Sequence, residues 1–153
     1  MNNLAAAALA LTGAATLSQK AIARQDWPPN HSEAASGRIA DTLALSRTGQ
    51  AATAEKVMRE AVSIYQKMFP DGHRVLAAAY GALGESLLAQ GKVQQAEPLL
   101  LQSVRQLGNT LHFQRRLALR RLIRLYEMKG NRVTAMQFEE ELAALERRVQ
   151  YGY

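Results

Sequence analysis

His31, His73 and His112 are the three histidines of the 153-residue chain, spaced 42 and 39 residues apart. A metal site needs ligands that converge, most simply two histidines one helical turn apart, and this spacing supplies no such pair. Glu139, Glu140 and Glu141 are consecutive. On a helix they fan out ~100° apart, which reads as a solvated face with Arg147 and Arg148 nearby rather than as a tuned acid and base. Gly81 and Gly84 fall inside an apolar periodic stretch, not in a phosphate-cradling loop. The chain has no cysteine, which excludes disulfides and thiolate metal sites. No catalytic, cofactor-binding or metal-binding residues are expected, and the chain is not expected to be an enzyme.

The arginines are more informative. Between His112 and Arg132 lie seven basic residues against one acid, Glu127, while the rest of the chain carries twelve of each sign. The whole formal excess of +6 therefore sits in one short segment. Within it Leu119, Leu122, Ile123 and Tyr126 share one helical face, and Arg116, Arg120 and Arg124 follow one another at i, i+4 and i+8 on the opposite side, with Arg121 beside them. Such a stripe is either a solvated helix face or a patch that recognises carboxylates or phosphates through guanidinium forks. Nucleic acid is the weaker ligand class. The stripe is one helix long, Trp27 lies outside it, and Phe113 and Tyr126 are the aromatics near it, with Tyr126 on the core side.

The elements that carry these residues repeat. Tyr80, Leu83, Gly84 and Leu87 make one amphipathic stripe, Gly91 ends it, and Val93, Ala96, Leu100 and Val104 begin a second. Gly84 and Ala96 are small where the two helices would meet. Around Gly49 the segment Ala54, Glu55, Met58 and Val62 answers Ala96, Glu97, Leu100 and Val104 with a period of 42 residues; Gly130 and Ala135 follow with a period of 39. The histidines keep the same time, each near the start of a unit's first helix. A helical hairpin of this size cannot bury its own apolar faces, so the units must stack.

The pattern of Tyr80, Leu83, Gly84, Leu87, Gly91 and Ala96 resembles the tetratricopeptide repeat, in the kinesin-light-chain-like variety with a long period. The connectors "WPPNHSE" and "FPDGHRV" are similar to that family's Pro-Asp-His-Pro loop. The resemblance implies an all-α, right-handed superhelical solenoid of antiparallel helix pairs, a single domain over residues 1–153. Its units are expected at about 1–27 (degenerate), 31–69, 73–108 and 112–149. The unit from His31 departs from the family at Arg38 and Asp41, which suggests a loosened first helix or an Arg38/Asp41 ion pair; the last unit has Ile123 at the small position. In the family the first helices of the units line a concave groove that holds peptides. Carried over position by position, the groove would receive Arg120, Arg124 and Glu127 from the last unit. Gly81, Glu85 and Leu88 would come from the middle one, Ser36, Ile39, Leu43 and Ser46 from the one before, and Asn3 from the degenerate unit. Of these, Gly81, Glu85, Leu88, Leu43, Ser46, Arg120, Arg124 and Glu127, together with Arg116 and Arg121, are the candidate partner-binding residues. The expected partner is a protein or peptide, acidic with a hydrophobic anchor, and the expected role is an interaction scaffold.

Residues 73 to 148 are also similar to tetratricopeptide regions at the carboxyl end of bacterial serine/threonine protein kinases. That likeness implies, as the alternative role, a regulatory segment of a signalling kinase or transcriptional regulator, with a kinase domain as neighbour in a longer chain. The first 27 residues read either as the degenerate unit, "MNNLA" being similar to the family's "LNNLA", or as a secretory signal with small residues at Ala21 to Ala23. No Lys or Arg precedes Lys20, so the positive start of a signal is missing. The cytoplasm is the expected compartment under the first reading, the periplasm or exterior under the second. No membrane span is expected, because charge interrupts every apolar run after Lys20.

Overall fold

The computed structural model describes residues 31–108 and 113–152. The degenerate unit, Asn3, Trp27 and His112 lie outside the described residues. Six α-helices follow in order: α1 His31–Arg47, α2 Ala51–Met68, α3 Arg74–Ala89, α4 Val93–Leu107, α5 Phe113–Met128 and α6 Arg132–Tyr151. The architecture is all-α, a helical-repeat solenoid. Helices α1, α3 and α5 lie side by side as one layer, and α2, α4 and α6 form the second, with α2 packing forward on α3 and α4 forward on α5.

The turns repeat one closure. Gly91 sits at φ +73°, its N–H donating to the Leu88 carbonyl and the Lys92 N–H to that of Leu87, both at 2.9 Å. At Gly130, φ +69°, the same pair of bonds returns to Glu127 and Tyr126, again at 2.9 Å. These are Schellman ends, and only glycine takes the left-handed position without a steric penalty. At the other end of a connector, His73 Nδ1 accepts from the Val75 N–H (3.2 Å) and its ring stacks on Phe69 with centroids 4.5 Å apart. One repeating histidine thus serves as an N-cap.

Helix α3 is the centre of the molecule. Neighbours on three sides leave it apolar nearly all round, from Val75 through Leu76, Ala79, Leu83 and Leu87 to Leu88, all buried. Each such Leu or Val contributes about 1.5–3 kcal/mol when fully covered. Gly84 is where α4 comes closest: a Cβ there would stand 2.4 Å from Leu100 Cδ2 and 2.7 Å from its Cγ. Helix α1 runs unbroken for its 17 residues, so Arg38 and Asp41 do not loosen it. Arg38 is half-buried and Asp41 exposed; Ile39 and Leu45 supply the apolar contacts that hold the helix. Among the described residues no helix is long and apolar enough to cross a membrane.

Polar clasps tie consecutive units. Glu55 on α2 accepts from Gln90 (2.7 Å) and Lys92 (2.8 Å) at the turn of the next unit and from Arg59 on its own helix (2.8 Å). The Lys92 hydrogen bond leads in holding its carboxyl from the ordinary 4.5 down to about 2. Glu97 on α4 repeats the device, accepting from Lys129 (2.5 Å) and the Tyr126 hydroxyl (2.7 Å), which lower its pKa in that order of effect. The Tyr126 hydroxyl is in turn pushed up to about 12, first by burial and then by its bond to Glu97.

Candidate functional site

The layer of α1, α3 and α5 contains an open cleft of about 190 Å³. Its floor is Ala77 and Ala78 of α3, whose short side chains leave room above them. One wall is Ile39 and Leu43 of α1; the other is Phe113 and Leu117 of α5. Ser36 and Ala40 of α1, Ser103 and Leu107 of α4, and Gln114 and Arg121 of α5 complete the lining. The surface is mainly apolar, with one guanidinium. The Ser103 hydroxyl is turned away to donate to the Ala77 carbonyl at 2.7 Å.

Arg121 crosses the layer. Its Nε and Nη2 both lie 2.8 Å from Glu85 Oε2, and Arg47 Nε of α1 stands 3.6 Å from Oε1. One carboxylate thus joins three helices. Gly81 leaves room for the crossing: a Cβ there would come within 2.7 Å of Arg121 Nη1, and the guanidinium would have to shift. The Arg121 and Glu85 side chains are 14% and 15% exposed, so the pair is largely withdrawn from water, and removing one partner would leave a poorly solvated charge.

The remaining candidates fall in different places. Leu43 lines the cleft, as do Ser36 and Ile39. Leu88 is 2% exposed, within the core, and Ser46 is buried with its hydroxyl donating to the Thr42 carbonyl at 3.2 Å. Arg120 turns toward α6 and reaches Glu146 at 3.0 Å, both side chains exposed. Glu127 lies 3.5 Å from Arg132, which also pairs with Glu139 at 3.0 Å. Arg116 is half-buried, its guanidinium carbon 5.6 Å from the Phe113 ring centroid, a cation–π arrangement. Arg124 is exposed and makes no ion pair among the described residues. Of the seven basic residues in the dense segment, five therefore meet carboxylates. Arg115 is one of them, buried on the core side, where it pairs with Glu141 and donates to the Gly108 carbonyl at the end of α4.

Sequence reasoning placed the groove face of α5 along Arg120, Arg124 and Glu127; the cleft wall is Phe113, Leu117 and Arg121, a face rotated toward α3. The available signal was Phe113 and Leu117 themselves. They are apolar, one turn apart, and off the stripe that buries Leu119, Leu122 and Tyr126.

A layered stack of helix pairs with a lined cleft defines the class: a helical-repeat protein of the kind that presents a surface to partners. The profile of the tetratricopeptide repeat matches residues 33–109, and the chain belongs to that family, whose repeats generally mediate protein–protein interactions. Two solved structures are similar in fold, both of a kinesin light chain with nearly identical TPR-like repeats from Podosopora anserina, one carrying a single substitution. The substituted form has a TM-score of 0.68 at 23% identity, covering 92% of this chain and 68% of that one. The other has a TM-score of 0.67 at 23% identity, covering 92% and 69%. No curated protein sequence matches the chain.

Proposed function

We propose that the chain is an interaction scaffold whose cleft takes an apolar side chain of an extended peptide. Acidic residues of that peptide would be met by Arg116 and Arg124. The observation that carries this reading is the cleft between Ile39 and Leu43 on one side and Phe113 and Leu117 on the other. A partner that fills it removes apolar surface from water at little cost in polar desolvation. Arg121 already holds Glu85, so it serves to shape the end of the cleft. Arg116, beside Phe113, and Arg124, one turn beyond Arg121, are the two basic groups of the dense segment between His112 and Arg132 without a carboxylate partner among the described residues. No reaction is assigned to the chain.

A partner recovered with the full chain tests this. Replacing Arg116 and Arg124 together with Ala should weaken it about tenfold, since exposed charge pairs contribute roughly 0.2–1 kcal/mol each. Added salt should weaken the parent complex in the same direction. Displacement by an acidic peptide with an apolar residue, but not by single-stranded DNA, is the expected competition result. Displacement by DNA alone, or undiminished binding by the double variant, would overturn the assignment.

A further inference from the structure

Helix α6 packs chiefly on α5. Its inner side buries Ala135 and Leu145 and sets Phe138 against the Tyr126 ring, with centroids 5.6 Å apart. Glu141 and Glu146 flank that contact through Arg115 and Arg120. On the opposite side Met136, Glu140, Ala143, Arg147 and Tyr151 recur at intervals of three and four residues, which makes them one stripe. Met136 is 48% exposed and Tyr151 60%. In α2 and α4 the position of Met136 is held by the clasp residues Glu55 and Glu97, each bound to the following unit. In α6 an exposed thioether stands there instead. Neither Glu140 nor Arg147 has an ion pair among the described residues, and the ~10 Å of helical rise between them keeps them from pairing with each other within one chain.

The stripe is symmetric about its middle. Counted outward from the Ala143–Ala144 peptide bond, Glu140 and Arg147 are equidistant, and so are Met136 and Tyr151. We infer that the chain forms a twofold homodimer through this outer face of α6, the two helices antiparallel and crossing at Ala143 and Ala144. In that register each Glu140 faces the partner's Arg147, and each Met136 lies against the partner's Tyr151, a thioether–aromatic contact. The small side chains at the centre let the axes approach to the lower end of helix-packing distances. A twofold contact requires one surface to complement itself, and this pattern of charge does so. A partner of uniformly acidic or basic surface would leave one of the two charges facing its like. Among the described residues the cleft is lined by α1, α3, α4 and α5 and not by α6, so a contact through α6 leaves the cleft of each chain uncovered and presents two binding sites.

The test is sedimentation equilibrium of the full chain from low micromolar to several hundred micromolar. The expected average mass rises from one chain toward two as concentration increases. Glu140→Arg and Arg147→Glu should each weaken association at least tenfold, because like charges then face each other twice. The double variant E140R/R147E should restore it, and an equimolar mixture of the two single variants should form a heterodimer. Circular dichroism should show unchanged helix content in all of them, since both positions are exposed. A parent chain that stays monomeric throughout overturns the inference. So does association that is indifferent to the single reversals, or a double variant that fails to recover.

Discussion

The middle and last helix pairs have the same outline and different interiors. In the middle pair α3 is covered on nearly every side, and its contact with α4 is so close that only glycine fits at position 84 against Leu100. In the last pair the corresponding positions hold Ile123 and Glu139, α6 buries Ala135 and Leu145 alone, and its charges meet those of α5. An internal unit is apolar on both sides because it has neighbours on both sides. The terminal described pair exchanges apolar packing for ion pairs: solvent screens the Arg120–Glu146 pair, which contributes little, while Arg115–Glu141 is partly withdrawn from water. Stability should therefore fall from the middle of the stack toward α6.

The largest expected effect is at the tight contact. Gly84→Leu should cost on the order of 1–3 kcal/mol by overpacking, read as a fall in melting temperature of about 2–10 °C for a chain of this length. Ile123→Ala, at the same place in the last pair but half-buried, should cost less. Equal losses at the two positions would break the contrast. Next comes Arg115→Ala, which strands Glu141 and uncaps the end of α4. We expect about 1–2 kcal/mol, less than for a fully buried pair because Glu141 is partly hydrated. Hydrogen exchange should quicken in α6 while α3 keeps its protection; uniform loss in both would contradict the gradient.

A smaller effect separates the clasps from the packing. Glu55 titrates lower in the folded chain than in the unfolded one, so its contribution is fully present above pH 4.5 and is lost as the pH falls toward 2. It is on the order of 1 kcal/mol once the exposure of Lys92 and Arg59 is taken into account. Acid titration of Glu55→Gln, followed by circular dichroism, should show less stability lost across that window than in the parent. The smallest effect belongs to the exposed Arg120–Glu146 pair. Arg120→Ala should change the melting temperature by less than about 2 °C, since such pairs contribute within a few tenths of a kcal/mol.

The sequence rendered the repeat and its turns because these depend on local chemistry: glycine at a left-handed position, an apolar beat of three and four, small residues where helices meet. The site was less legible. The basic segment looked like an unbalanced stripe because its carboxylates lie far along the chain, Glu85 36 residues from Arg121 and Glu146 26 from Arg120. Net charge counted along a segment says nothing of such partners. Arg115 was indistinguishable from its neighbours until Glu141 and the end of α4 were brought to it. On α5 the cleft is lined by Arg121, one residue along from Arg120, which turns instead to Glu146 on α6.

On the proposed function, the cleft above Ala78 receives a partner's apolar side chain. Selection from a displayed random-peptide library, run in parallel on the parent chain and on Ala78→Trp, tests it most directly, because the indole would fill the cleft without touching Arg116 or Arg124. Enriched peptides should share one large apolar residue beside Asp or Glu and should lose binding to a folded Ala78→Trp chain. Peptides that bind the filled variant as tightly as the parent would contradict the proposal.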